Sequence, residues 1–397
     1  MKISEQISIY LHIPFCSKRC GYCDFTTYAG KESLIPAYVD SLCNEIKFVT
    51  DLCNEKILAQ TIFFGGGTPS LVTIEQYKKI FKTIENCFIL MPNAEISLEV
   101  NPGSVNQDYL TDLCEVGFNR ISLGAQSTND EELRFLGRIH NREDIFNSVQ
   151  AARMAGFKNL NLDLIFGLPG QKLENWKKSL NEVAALDIEH ISLYALTIEK
   201  GTPFGVLAEK GSMSFPAPDL AAGMYEWAGD ELEKHRFQQY EISNWAKRNF
   251  NCKHNLQYWK NLPYLGFGAG AHGYVNNMRI SNVLRIKDYI NRIEKLIVQI
   301  KGNASGRFPI SPATVTSKSV SRYTSMQDTL MLGMRLTEEG VSTRVFRDRF
   351  GQELLVVFGK EISELLDLQL IEWIGESLRL TKRGRLLGNQ VFMRFVD

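Results

Sequence analysis

Short apolar runs, rich in β-branched and aromatic residues, recur between amphipathic segments through the first half of the chain. ISIYLHI, QTIFFGGG, AEISLEVNP, NRISLGAQS, LNLDLIFGLP and HISLYALTIE read as strands. YVDSLCNEIKFV, LTDLCEVGF, IFNSVQAARMAG and NWKKSLNEVAAL lie between them with helical periodicity. This alternation predicts an α/β fold of βαβ units on a parallel sheet, either most of a (β/α) barrel or a doubly wound sheet. After about residue 200 the pattern loosens. FPAPDLAAGMYEWAGDELEKHRF reads as a loop and then a helix, and QQYEISNWA as one further strand. CKHNLQYWKNLPYLGFGAGAHGY is dense in aromatics and glycine. KGNASGRFPISPATVTSKSVS is polar and rich in Gly, Pro and Ser, as a linker would be. MQDTLMLGMRL and EISELLDLQLIEWIGESLRLTKRGRLL predict helices followed by a two-stranded wing. The expected division is a barrel with its extension over 1–275, a linker over 276–320 and a small, mainly helical, winged-helix-like domain over 321–397.

Length and charge narrow the picture. The 397 residues suit two or three domains with an ample core. Forty-five basic residues balance forty-five acidic ones, which argues against a nucleic-acid partner held by bulk charge, despite the winged shape. No apolar run reaches the roughly 20 residues of a membrane span. The start, MKISEQISIYLHIPF, lacks a long apolar leader. These features predict a cytoplasmic protein with reduced thiols.

The unusual residues fall at one place in each βα unit. A cysteine loop follows strand one and GGGTP follows strand two. Glu99 and Asn101 close strand three, Gln126 closes strand four, Asp163 lies in strand five, and Thr197 and Glu199 end strand six. Parallel barrels assemble their sites at this edge. The loop itself, HIPFCSKRCGYCDF, spaces Cys16, Cys20 and Cys23 as C-x3-C-x2-C. A structural zinc site wants four ligands, and no second C-x-x-C supplies the fourth. Three thiolates suit three irons of a cubane [4Fe–4S] cluster, leaving the fourth iron open to a small molecule. Zinc and thiol redox chemistry remain as alternatives. Cys43, Cys53, Cys87 and Cys114 read as small core residues.

CSKRCGYC resembles the cluster loop of the radical S-adenosylmethionine (SAM) superfamily, and GGGTP resembles its glycine motif. The resemblance implies a partial (β/α)6 barrel, a [4Fe–4S] cluster and SAM. It places Tyr22 against the adenine and the glycine motif against the methionine part of SAM. LEVNPG, NRISLGAQS, LGRIH, DLIFGLPGQ and HISLYALTIEKGTPF extend the resemblance, from about Ser8 onward, to the coproporphyrinogen-dehydrogenase-like branch. Carried over by position, it implies SAM contacts from Tyr10, Tyr22, Gly66, Gly67, Thr68, Glu99, Gln126, Arg138 and Asp163. Glu99 and Asp163 can accept hydrogen bonds from ribose hydroxyls or an amino group. Arg138 can grip a carboxylate with its planar fork.

Two kinds of protein share that branch. The oxygen-independent coproporphyrinogen III dehydrogenases carry a fourth cysteine where this chain has Phe25, and a long segment before the loop. The haem-chaperone group has the CDF ending, a short N-terminus and an HNxxYW motif. Here HNLQYW supplies His254, Asn255, Tyr258 and Trp259. Resemblance to that group implies haem binding, with an imidazole for iron and flat rings for the macrocycle. On residue types alone His254 reads instead as a satisfied structural histidine. His272 and Cys252 are weaker ligand candidates. The implied partners are haem-accepting proteins and an electron donor for the cluster. Peripheral membrane association through an acceptor and a homodimer are both compatible with this reading. Catalytic residues remain unassigned, as does whether the protein is an enzyme.

Overall fold

The computed structural model describes residues 6–53, 55–215, 217–300 and 306–396, with side chains in the third segment through residue 295. Its first half alternates strand and helix. In chain order these are β1 (Ile7–Ile13), α1 (Ile35–Asp51), β2 (Ile57–Gly66), α2 (Ile74–Cys87), β3 (Phe88–Val100), α3 (Gln107–Val116), β4 (Arg120–Gln126), α4 (Asp130–Leu136), α5 (Arg142–Met154), β5 (Leu160–Phe166), α6 (Leu173–Ala184) and β6 (His190–Ala195). The six strands pair in parallel and in sequential order. β1 and β5 are buried along nearly their whole length, because the helices cover one face and barrel contents the other. β6 does not pair with β1, so the barrel stays open, as a partial (β/α)6 barrel should.

Several helices begin on side-chain caps that the sequence writes plainly. Thr73 and Gln76 form a capping box at α2, and Asn141 and Asp144 form one at α5. Two helices, α7 (Pro203–Glu209) and α8 (Pro218–Lys234), follow the sixth strand.

The stretch QQYEISNWA forms a hairpin, β7 (Gln238–Glu241) and β8 (Asn244–Ala246), where one strand was expected. Its turn, Ile242-Ser243, contains neither Gly nor Pro, so nothing local marks it. β8 extends the sheet antiparallel to β6. After the short helix α9 (Lys253–Trp259), β9 (Tyr264–Phe267) joins the other edge parallel to β1. β10 (His272–Val275) and β11 (Met278–Asn282) follow antiparallel.

Residues 276–320, expected as a linker, carry β11, helix α10 (Ile286–Ile300) and β12 (Thr314–Ser319); residues 301–305 lie outside the described set. β12 closes the twelve-stranded sheet and is exposed along almost its whole length. A polar, solvated edge strand has the composition of a linker. α10 packs against α1 through Tyr289, whose hydroxyl donates to the buried Glu45 at 2.7 Å.

The C-terminal unit comprises α11 (Arg322–Gly333), β13 (Val341–Ser342), α12 (Thr343–Phe350), α13 (Leu354–Asp367), β14 (Ile371–Ile374) and β15 (Ser377–Leu380). β14 and β15 form the wing, with β13 beside β15. The unit has its own core, including Leu330, Phe346, Phe358, Leu378 and Phe395. No helix among the described residues is long and apolar enough to cross a membrane.

Candidate cofactor site

The cysteine loop is fixed at both ends. At its base, Phe15–Cys16 pairs with Tyr28–Ala29, and Tyr28 N–H donates to the Pro14 carbonyl at 2.7 Å. At its tip, Gly21 N–H donates to the Leu136 carbonyl at 3.4 Å, and Phe204 N–H donates to the Gly21 carbonyl at 3.0 Å. The end of α4 and the start of α7 therefore clamp it. Arg19 donates to the Cys23 carbonyl at 3.1 Å. All three thiols are unpaired by disulfides.

GGGTP packs directly behind this loop. Gly67 N–H donates to the Ile13 carbonyl at 2.9 Å and Thr68 N–H to the Phe15 carbonyl at 2.7 Å. A Cβ on Gly67 would stand 3.0 Å from Cys16 Sγ, and one on Gly66 would stand 2.6 Å from His12 Nδ1. Gly66 also holds φ at 117°. The glycines are thus required by the loop they touch, before any ligand is considered.

One cavity of about 580 Å³ opens at the C-terminal ends of the barrel strands. Of the sixteen candidate residues, every one except Trp259 lines it. Arg138 spans its wall: Nη1 lies 3.6 Å from Cys20 Sγ, while Nη2 donates to Asn101 Oδ1 at 2.6 Å and the Gly124 carbonyl at 2.8 Å. Asn101 in turn donates to Thr68 Oγ1 at 2.9 Å. Glu99 accepts from Gly66 N–H at 2.9 Å. Asp163 accepts from Ser122 at 3.1 Å and Asn161 at 2.8 Å. Tyr10 and His12 are joined at 2.9 Å, and His12 Nε2 reaches the Thr26 carbonyl at 2.9 Å. Gln126 holds a left-handed φ of 67°, a strained conformation for a non-glycine residue at a functional site.

The cavity floor is acidic. Burial pushes the Glu99 carboxyl up to about 7, against the pull of the Gly66 N–H and with a push from Asp163. Burial likewise raises Asp163, opposed by its Ser192, Asn161 and Ser122 hydrogen bonds. Both side chains touch the cavity but sit too deep for bulk solvent to stabilise their charge. Beneath them lies Arg120, only 2% exposed, whose Nε has no hydrogen-bond partner. Burial also raises the Cys16 thiol, with the Thr68 hydroxyl opposing; coordination to a metal would remove that proton.

Arg120, Asn101, Ser122, Asn161, Ser192 and Tyr194 line the cavity without having been candidates as ligand contacts. Alternation could have found several of them. Arg120, Ser122, Gly124 and Gln126 occupy every second position of β4 and all line the cavity, as do Asn161, Asp163 and Ile165 on β5. Fixing Gln126 and Asp163 as inward therefore fixes the rest of each row.

HNLQYW forms α9, and it divides. Glu95 accepts from the amides of Lys253 at 3.1 Å and His254 at 3.0 Å, securing the start of the helix. His254 is 1% exposed. Thr61 donates its hydroxyl to Ser8 at 2.6 Å, so His254 Nδ1 donates to Thr61 at 2.7 Å. Nε2 then accepts from the Tyr258 hydroxyl at 2.8 Å. Burial holds this imidazole down to about 3, with Arg120 adding to the effect, so it is neutral at physiological pH. Neither ring nitrogen is free for iron. Tyr258 and Asn255 line the cavity, whereas Trp259 lies beneath Arg335, 5.0 Å from its guanidinium. Cys252 is fully buried, with Sγ 3.4 Å from Glu95 Oε1.

The thiol set fits a cluster better than a single ion. Among the described residues no three His, Cys, Asp or Glu side chains converge closely enough for one ion. Corners of a multi-iron cluster need no common point, and the loop presents soft thiols on a cavity wall beside a guanidinium.

Comparison with known proteins agrees with this architecture. The Radical SAM superfamily model matches residues 10–183, and the HemN C-terminal domain model matches residues 320–387. The fold and loop are those of a radical SAM protein with a HemN-type C-terminal domain. A protein of Bacillus subtilis named Heme chaperone HemW is 38% identical over 98% of this chain and 99% of its own length. Another of that name, from Lactococcus lactis, is 32% identical over 98% and 97%. The solved coproporphyrinogen III oxidase (HemN) of Escherichia coli superposes with a TM-score of 0.82 at 23% identity, covering 98% of this chain and 90% of that one, a likeness of fold alone. The chain belongs to the radical SAM superfamily, in the family of proteins named heme chaperone HemW.

Proposed function

We propose that the protein binds haem and hands it to acceptor proteins, using a [4Fe–4S] cluster and SAM held in the barrel cavity. The observation that carries this reading is the match, along nearly the whole chain, to relatives named for that role. Cys16, Cys20 and Cys23 would hold three irons and leave the fourth for SAM. When bound, the pair supplies one-electron reductive cleavage of SAM. The chain's own residues bind and orient. Glu99 and Asp163 offer acceptors for hydroxyl or amino hydrogens, Arg138 offers charge beside Cys20, and Tyr10 and Tyr22 offer rings. Phe25, 65% exposed, lines the mouth of the cavity where a dehydrogenase would have its fourth cysteine. The site is expected to operate in the reducing cytoplasm with a separate electron donor.

The test is anaerobic. Reconstituted protein should be brown, bind haem with a stable Soret band, and transfer it to an apo-haem protein. Reduced protein given SAM and coproporphyrinogen III should form no protoporphyrinogen while a dehydrogenase control does. Turnover of that substrate, or failure to bind haem, would overturn the reading.

A further inference from the structure

A second cavity, about 300 Å³, lies where the C-terminal unit meets the β7–β8 turn. Ile242, Arg335, Arg385, Leu387 and Phe392 are among its walls. The two arginines dominate its chemistry. Arg335 lies between two rings, 5.0 Å from Trp259 and 4.7 Å from Phe392, and its guanidinium makes no hydrogen bond among the described residues. Arg385 donates from Nη1 to Gln239 Oε1 at 2.8 Å, but its buried Nε has no partner. Neither arginine belongs to an ion pair among the described residues. The nearest acids, Glu241 beside Arg335 and Glu338 and Glu372 near Arg385, act on them only at longer range.

The buried, unpartnered Arg385 Nε is costly unless an acceptor arrives, while the half-buried Arg335 leaves its donors open at the cavity wall. Each planar fork matches a carboxylate through two parallel hydrogen bonds. The stacking rings hold Arg335 flat and in place, which lowers the entropy lost on binding. Several arginines of this unit have carboxylate partners: Arg379 pairs with Glu372, Arg394 with Glu364 and Arg347 with Glu353. Arg335 and Arg385 have no carboxylate partner among the described residues, and they share one cavity.

We propose that Arg335 and Arg385 form a carboxylate-binding site, and that its ligand is a propionate arm of the porphyrin cargo. The choice of porphyrin rests on the haem reading above; the carboxylate chemistry does not. The volume is at the lower end for small-molecule sites, suiting a carboxylate arm with the macrocycle outside. The site is also where HNLQYW contributes: its Trp259 supports Arg335 from below.

The experiment titrates cluster-loaded protein with haem and with haem dimethyl ester, whose carboxylates are blocked. Wild type should bind haem tenfold to a hundredfold more tightly than the ester, at roughly one to two charge-assisted hydrogen bonds lost. Arg335→Met/Arg385→Met should weaken haem by the same factor and no longer distinguish the two. Arg335→Lys/Arg385→Lys, which keeps charge and stem packing, should fall between them and controls for folding. Equal binding of haem and ester by wild type would refute the site and leave the haem reading standing. So would unchanged haem affinity in a folded double Met variant. Failure of wild type to bind haem at all would sink both.

Discussion

Glu99→Gln isolates the electrostatics of the cavity floor. In the unfolded chain this carboxyl releases its proton near 4.5, whereas in the fold it keeps the proton to about 7. Between those values the folded state carries the extra proton, so raising the pH destabilises it. The interval, at about 1.4 kcal/mol per pH unit, amounts to about 3 kcal/mol, lost between roughly pH 4.5 and 7 and constant above. Glutamine carries no charge to desolvate and can still accept from the Gly66 N–H, 2.9 Å from Glu99 Oε2. Unfolding of cluster-free protein by urea, followed through the buried Trp176 and Trp245, measures the effect at pH 5 and pH 8. At pH 8 the variant should gain about 3 kcal/mol on wild type, and at pH 5 much less. Glu241, also pushed up to about 7 by burial, contributes equally to both proteins and cancels. Stabilities that stay parallel between the two pH values would show that Glu99 titrates normally and that the floor is wet. SAM affinity should move the opposite way, falling in the variant, which equilibrium binding at pH 8 would register.

Gly67→Ala should destabilise by about 1–3 kcal/mol and strip the cluster, because its Cβ meets Cys16 Sγ and the Ile13 carbonyl at 3.0 Å. Iron and sulfide analysis checks this against Gly30→Ala, where φ is +68° but no atom lies within 4 Å; that control should lose only about 1–2 kcal/mol and keep its iron. His254→Ala should lose about 2–4 kcal/mol by leaving Thr61 and Tyr258 short of a partner, with an unchanged haem spectrum; a changed axial-ligand spectrum would return His254 to the haem site. Trp259→Ala should weaken the seating of the C-terminal unit by about 2 kcal/mol, seen as faster proteolysis near residue 320, while iron loading stays normal.

The barrel strands were legible because burial on both faces writes continuous apolar runs, as in ISIYLHI and LNLDLIF. The site was legible because polar residues interrupt those runs at one edge. What escaped depends on partners distant in sequence. Arg120 opens β4, where a charged residue ordinarily marks a strand end; its burial follows from Asp163 and Glu95 on neighbouring strands. β12 escaped because an edge strand and a linker share a polar composition. The β7–β8 turn escaped because Ile242 carries the apolar pattern straight through it, held there by its own carbonyl accepting from Tyr225 at 2.8 Å.

The division of HNLQYW follows from helical geometry. His254 and Tyr258 are four residues apart and share a face, so both reach the barrel interior and bond each other. Trp259 is one residue further, roughly 100° around the helix, and faces the C-terminal unit. A motif that looks like one ligand set therefore serves two places. Its first face lines the barrel cavity, and its second face supports Arg335. A defect in haem handling after substitution within this motif does not, on that geometry, by itself identify an iron ligand. Loss at His254 should travel through barrel stability and cluster retention, and loss at Trp259 through Arg335. Measuring iron content and haem affinity together on each variant separates the two routes.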